Sequence, residues 1–231
     1  IVYTSADSVL QIAAHEHIFD LDRLYKTCEI AAEIFDELRV QRIIARPFLG
    51  KKKDEFFRTK NRKDFISPPP IDTLCDKVIK SGKKCFGIGK IADIFGQRGI
   101  SESVSGMSDD KLFDEMLKII IKANSGDLIF ANFVEFDSLY GHRRDLPGYA
   151  RALENFDKKL PKLFSILNKD DLLVITADHG NDPSFAGTDH TREQVPVLIK
   201  NQKLVNKCYG LINFSDIGSL LENFLRLEVH E

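Results

Sequence analysis

Asp137, His142, Asp178, His179 and His190 are the residues whose types and spacing suit the holding of metal ions. They fall in two places that repeat one design. The apolar run Leu128 to Phe133 leads into Glu135-Phe136-Asp137, and His142 follows Asp137 by five residues. The apolar run Leu172 to Thr176 leads into Asp178-His179, and Asp189-His190 lies eleven residues beyond. In both, Asp and His stand just past the carboxyl end of a predicted strand, where open α/β sheets build their sites. Carboxylate oxygens and imidazole nitrogens are ordinary ligands for Zn²⁺ or Mn²⁺. Two such ions close together clamp the attacking and leaving oxygens of a phosphoryl group. Phosphoryl transfer needs charge neutralisation and in-line positioning more than covalent help. A single Asp or His is more often a satisfied loop residue. The metal reading rests on five ligand types gathered at two strand ends, with three of the chain's six histidines among them.

The pattern around these residues predicts the elements that must position them. Ile1 to Thr4 reads as a strand, Val9 to His15 as a helix after a Ser-Ala-Asp-Ser cap, and Leu21 to Leu38 as a longer amphipathic helix. Val40 to Ala45 reads as a strand, and residues 47–67 as loops with short strands. Pro68-Pro69-Pro70 removes three backbone donors and fixes an extended path, so a domain boundary is expected there, giving domains 1–69 and 70–231. Beyond it, helices over 73–81, 109–124, 149–167 and 215–225 alternate with strands over 84–88, 127–133, 171–176 and 195–199. That alternation predicts an α/β layer with a largely parallel sheet.

Composition narrows the function classes. Lys plus Arg is 33 and Asp plus Glu is 35, a net charge of -2 that gives no reason to expect nucleic acid. No apolar run approaches the ~20 residues needed to span a membrane, and no signal peptide is legible. The four cysteines form no CxxC pair, so reduced thiols in a cytoplasmic protein are expected. The chain opens on a strand-like segment without an initiator Met, and is expected to be an internal piece of a longer protein.

Four segments carry a family resemblance: IVYTSADSVLQIAAHE at 1–16, RTKNRKDF at 58–65, NFVEFDSLYGHRRD at 132–145 and TADHGNDPSFAGTDHTREQVPVLI at 176–199. Together they span nearly the whole chain, and on them the sequence resembles the phosphopentomutase family of the alkaline phosphatase superfamily. The resemblance implies an alkaline phosphatase-like core holding two Mn²⁺ ions and a smaller α/β cap, both incomplete here. It implies transfer of phosphate between C1 and C5 of ribose or deoxyribose, in nucleoside catabolism. One ion would be held by Asp137, His142 and His190, the other by Asp178 and His179. The second set would be completed by an aspartate and a phosphorylated threonine from a segment that precedes this one. Neither is matched in this chain, so residues 1–231 alone are expected to lack turnover and to hold the first ion more tightly. Ser5, Asp7, Arg46, Arg58 and Lys90 would contact the sugar phosphate.

The competing expectations are a metal-dependent phosphatase or phosphoglycerate-type mutase on the same core, and a catalytically silent piece that binds sugar phosphate or metal. Self-association through an incomplete core is also expected. Lys51-Lys52-Lys53 reads as a solvated basic face. His15-Glu16-His17 places two imidazoles on different faces of the predicted helix and so is a poor metal motif. Gly87-x-Gly89-Lys90 lacks the full phosphate-loop pattern. Asp182 and Asp189 are expected to orient the metal-site histidines.

Overall fold

The computed structural model describes residues 1–5, 9–36, 38, 40, 42–203 and 208–227. Two compact units are present: Ile1–Ile71 with Asp93–Arg98, and Asp72–Ala92 with Gly99–Glu231.

The first unit is a five-stranded mixed sheet carrying one helix. Its elements are β1 (Val2–Ser5), β2 (Val9–His15), α1 (Leu21–Asp36), β3 (Arg42–Leu49), β4 (Phe57–Arg58) and β5 (Lys63–Ile66). The strand order is β1-β2-β3-β4, with β5 also paired to β3. β2 and β3 run parallel, joined through α1, with Ile12 opposite Ala45. Leu24, Cys28 and Ala31 line one face of α1 and pack on Leu10, Ile12, Ile43 and Ala45. Burial pushes the Cys28 thiol up to about 11, so it behaves here as a small apolar core residue.

Val9 to His15 is therefore a strand, against the helix expected from sequence. Leu10, Gln11, Ala13 and Ala14 favour helix locally. However, β2 is an inner strand, bonded to β1 on one edge (Val2 opposite Ile12) and to β3 on the other. Val9, Leu10 and Ile12 are buried. Pairing on both edges outweighs intrinsic propensity.

The second unit contains α2 (Leu74–Lys80), β6 (Cys85–Ile88), β7 (Glu102–Val104), α4 (Asp109–Lys122), β8 (Leu128–Ala131), α5 (Leu146–Ile166), β9 (Leu173–Ile175), β10 (Leu198–Lys200) and α6 (Phe214–Leu225); the short α3 (Ile91–Ile94) after β6 starts in this unit and ends in the Asp93–Arg98 segment of the first. β7, β6 and β8 form a parallel sheet in that order. β9 and β10 pair antiparallel as a separate ribbon, and β9 is half-buried. The core gathers Ile88, Leu112, Phe113, Met116, Leu117 and Leu163 between the parallel sheet, α4 and α5. Phe113, Phe133, Phe136 and Phe156 meet edge-on or tilted above it. This aromatic layer is the floor on which the segment after β8 rests. All four cysteines are free thiols, with Cys28, Cys75 and Cys85 buried. Among the described residues, no helix is long and apolar enough to cross a membrane.

Candidate metal centre

The segment leaving β8 is fixed at both ends. Asn132 N–H donates to Ile88 O at 3.0 Å, continuing the ladder past the strand. The Asp109 carboxylate, in the first turn of α4, then accepts from Val134 N–H at 3.1 Å and Glu135 N–H at 2.8 Å. Burial raises the Asp109 pKa to about 6, against the lowering effect of those two bonds. Next comes a π-helical turn, Phe136–Gly141. His142 N–H donates to Asp137 O at 2.9 Å, an i to i+5 bond. On an α-helix residues five apart diverge. The wider π turn lets Asp137 and His142 face each other, and such turns recur at functional sites. α5 then starts at Asp145, whose side chain accepts from Gly148 N–H at 2.9 Å.

The segment leaving β9 carries Asp178 and His179 and closes on itself through the Gly180–Thr191 bridge. Asp182 N–H donates to Thr191 Oγ1 at 2.7 Å. The loop between them presents His190.

These two segments bring the imidazoles onto one carboxylate. His142 Nε2 lies 3.2 Å from Asp137 Oδ2, and His190 Nε2 lies 3.3 Å from Asp137 Oδ1. The His142 and His190 rings stack at 4.8 Å, and His179 stacks on the other side of His190 at 3.6 Å. Ligand atoms of Asp137, His179 and His190 all lie within 4.8 Å of one another. Asp178 stands at the rim, its side chain 72% exposed and its Oδ1 3.7 Å from His179 Nε2.

Tautomers follow from the partners. His142 Nδ1–H donates to Thr188 O, and His179 Nδ1–H donates to Gly180 O at 3.2 Å. Each therefore keeps its Nε2 lone pair for a ligand. His142 Nε2, left with its lone pair, faces Asp137 Oδ2, lone pair against lone pair, an arrangement that a cation between them would stabilise. The donor set of carboxylate and imidazole suits Zn²⁺ or Mn²⁺. The residues present fit a metal.

Asp182 and Asp189 do not orient the histidines through their carboxylates, against expectation. Asp182 Oδ1 accepts from Ser184 Oγ at 2.7 Å and Ser184 N–H at 2.8 Å, bonds that hold its pKa below the ordinary value. Asp189 enters the network through its backbone carbonyl. Main-chain carbonyls take the orienting role at His142 and His179.

Two residues at this centre escaped the sequence reading. Asn181, 9% exposed, donates from Nδ2 to Asp137 Oδ1 at 2.5 Å. Arg144 donates to Gly141 O, Asn181 Oδ1, Asp182 O, Gly187 O and Asp189 O at 2.6–3.1 Å. The pair Arg143-Arg144 gives no sign of which arginine turns inward, and Asn181 is hidden beside stronger ligand types.

The remaining predicted site residues fall in both units. Arg46 and Arg58 belong to the first. Arg58 is paired opposite Phe48, two residues from Arg46, so strand alternation puts both on one sheet face, the face opposite the Ile43 and Ala45 side chains that meet α1. Arg46 Nε donates to Gln11 Oε1 at 2.9 Å, and burial, then the neighbouring Arg62 and Arg58, lower its pKa. Arg62 is already paired with Asp64, at 2.7 and 2.6 Å. Ser5 ends β1, with only its backbone described, and Asp7 lies outside the described residues. Lys90 belongs to the second unit, exposed just past the carboxyl end of β6, on the edge from which the β8 segment also departs. Before it, Gly89 (φ +74°) allows a close approach: a Cβ there would sit 2.1 Å from Asn132 O. His15 Nε2–H donates to Gly50 O at 2.8 Å and Glu16 accepts from Thr59 and Asn61, so that motif serves loop architecture. Lys51 and Lys52 are exposed.

A family model described as the metalloenzyme superfamily matches residues 82–228, which include all five residues of the metal reading. The chain is 51% identical over 228 residues to a phosphopentomutase of Chelativorans sp., covering 98% of this chain and 56% of that protein. It is 51% identical over 231 residues to one of Pectobacterium atrosepticum (98% and 57%) and 50% identical over 228 residues to one of Legionella pneumophila (98% and 56%). The chain thus spans little more than half the length of these curated relatives. Among solved structures, the PH0037 protein from Pyrococcus horikoshii superposes with a TM-score of 0.56 at 14% identity, over 90% of this chain and 65% of that one, a likeness of fold. With the α/β layer, the clustered histidines and the matched family model in agreement, the chain belongs to the metalloenzyme superfamily.

Proposed function

We propose that this chain is the larger part of a phosphopentomutase that interconverts the 1- and 5-phosphates of ribose or deoxyribose through a phosphothreonine, in cytoplasmic nucleoside catabolism. The observation that carries the proposal is the Asp137 carboxylate bracketed by His142 and His190 at 3.2 and 3.3 Å, with His179 stacked behind. The name phosphopentomutase, borne by relatives about 50% identical, supplies the reaction.

In this reading residues 1–69 form the C-terminal portion of a cap and 70–231 the C-terminal portion of the metal-binding core. Asp137, His142 and His190 hold one Mn²⁺, and Asp178 and His179 contribute to a second. When bound, the ions supply positive charge against the transferring phosphoryl group. The chain's own residues do the rest. Arg46 and Arg58 present guanidinium groups suited to paired contacts with phosphate oxygens. The neighbouring guanidiniums that lower the Arg46 pKa make its site receptive to an anion. Lys90 adds a point charge, and Ser5 and Asp7 face the sugar phosphate. The nucleophilic threonine and the remaining metal ligand come from sequence outside these 231 residues, and the relatives are long enough to hold them. Residues 1–231 alone then bind metal without turning over.

The test is interconversion of ribose 1-phosphate and ribose 5-phosphate with Mn²⁺, using the protein completed to the length of its relatives. Turnover there, and none with residues 1–231, is expected. Hydrolysis of generic phosphate esters without interconversion would replace the mutase with a phosphatase of the same core.

A further inference from the structure

Arg144 makes more hydrogen bonds than the centre's ligands themselves. Its guanidinium reaches backbone carbonyls on both sides of the 181–190 loop: Gly187 O and Asp189 O at 2.6 Å, Asp182 O at 3.1 Å, and Gly141 O at 3.0 Å on its own segment. The same Nη1 donates to Asn181 Oδ1 at 2.7 Å. That bond fixes the amide orientation, because only the oxygen can accept, so the Asn181 NH₂ must point the other way. It points at Asp137 Oδ1, 2.5 Å away. Arg144 also holds a left-handed backbone (φ +54°), uncommon outside glycine and kept only where the surroundings offset its strain.

We infer that Arg144 and Asn181 are positioning residues for the metal centre, acting as a relay in which Arg144 orients Asn181 and Asn181 orients the Asp137 carboxylate. Arg144 also straps the loop that carries His190, so one guanidinium sets both the carboxylate and the imidazole opposite it. Lysine cannot replace it, because a single ammonium cannot reach five acceptors spread over two segments. The inference rests on the reading of Asp137 as a metal ligand.

The test is Mn²⁺ binding to the chain, followed by electron paramagnetic resonance of free and bound Mn²⁺, with hydrogen exchange of the 181–190 amides measured without metal. Asn181→Leu keeps the volume and removes the amide. Its expected result is a melting temperature near the parent's, Mn²⁺ binding roughly 10–100-fold weaker and an altered bound-Mn²⁺ spectrum. Arg144→Lys is expected to weaken binding over the same range and to speed exchange across the loop, and it carries the test alone should Asn181→Leu fail to fold. Asp137→Ala is the reference. Parental affinity and spectrum in Asn181→Leu and Arg144→Lys, with Mn²⁺ lost in Asp137→Ala, would overturn the relay and leave the metal reading standing. Mn²⁺ binding unchanged in Asp137→Ala would overturn both.

Discussion

Gly141→Ala probes the junction of the two segments with a single methyl group. The backbone at Gly141 lies outside the left-handed region, so alanine is conformationally acceptable there and the effect is steric. The new Cβ would stand 2.4 Å from Asn181 Nδ2 and 2.7 Å from its Cγ, closer than real carbon contacts allow. Asn181 is clamped between Asp137 at 2.5 Å and Arg144 at 2.7 Å, so it moves only by giving up those bonds. Bonds to charged partners contribute ~1.5–3 kcal/mol each. Because Asp137 and Arg144 are only part-buried, about 2–4 kcal/mol for the pair is the reasonable total. If roughly half falls on the metal-competent arrangement, Mn²⁺ affinity drops about tenfold or more, at ~1.4 kcal/mol per decade. Calorimetric titration with Mn²⁺ reads this, with circular dichroism confirming that the α/β layer is retained. Parental affinity and melting temperature in Gly141→Ala would refute the idea that Asn181 is clamped against this glycine.

Gly218→Ala is the matched control: it lies inside α6, an added Cβ meets nothing within 4 Å, and melting should show a gain of up to about 1 kcal/mol with Mn²⁺ binding unchanged. Asp109 predicts a pH signature. Its folded pKa is raised from 3.8 to about 6, so the folded state binds the proton more tightly, and its contribution is full below the unfolded value and lost as pH rises through about 6. Urea midpoints of parent and Asp109→Asn across pH 4 to 7 should therefore converge or cross as pH rises, and parallel profiles would contradict this.

Much of this centre was legible because its chemistry is local in sequence. An apolar run ending in Asp with His close behind marks a strand end, and the structure does bring Asp137, His142 and His190 together. The π turn that aligns Asp137 with His142 was not legible, since no residue type signals an i to i+5 bond. Arg144 and Asn181 were hidden for a different reason: their roles come from contacts 37 to 45 residues away in the chain, three of Arg144's being to carbonyls that every residue carries. Val9 to His15 misled because its helix-favouring residues sit on an inner strand, where neighbours decide. The β9–β10 ribbon was predicted as strand but not as an antiparallel pair, for pairing partners leave no mark in a short apolar run.

The central claim is that Asp137 is the carboxylate around which this chain gathers a metal. Mn²⁺ titration of the parent and Asp137→Ala, read by the loss of the free-Mn²⁺ resonance signal, tests it most directly. One tight site is expected in the parent, absent in Asp137→Ala and retained in Asp178→Ala. Equal tight binding by the parent and Asp137→Ala would contradict it.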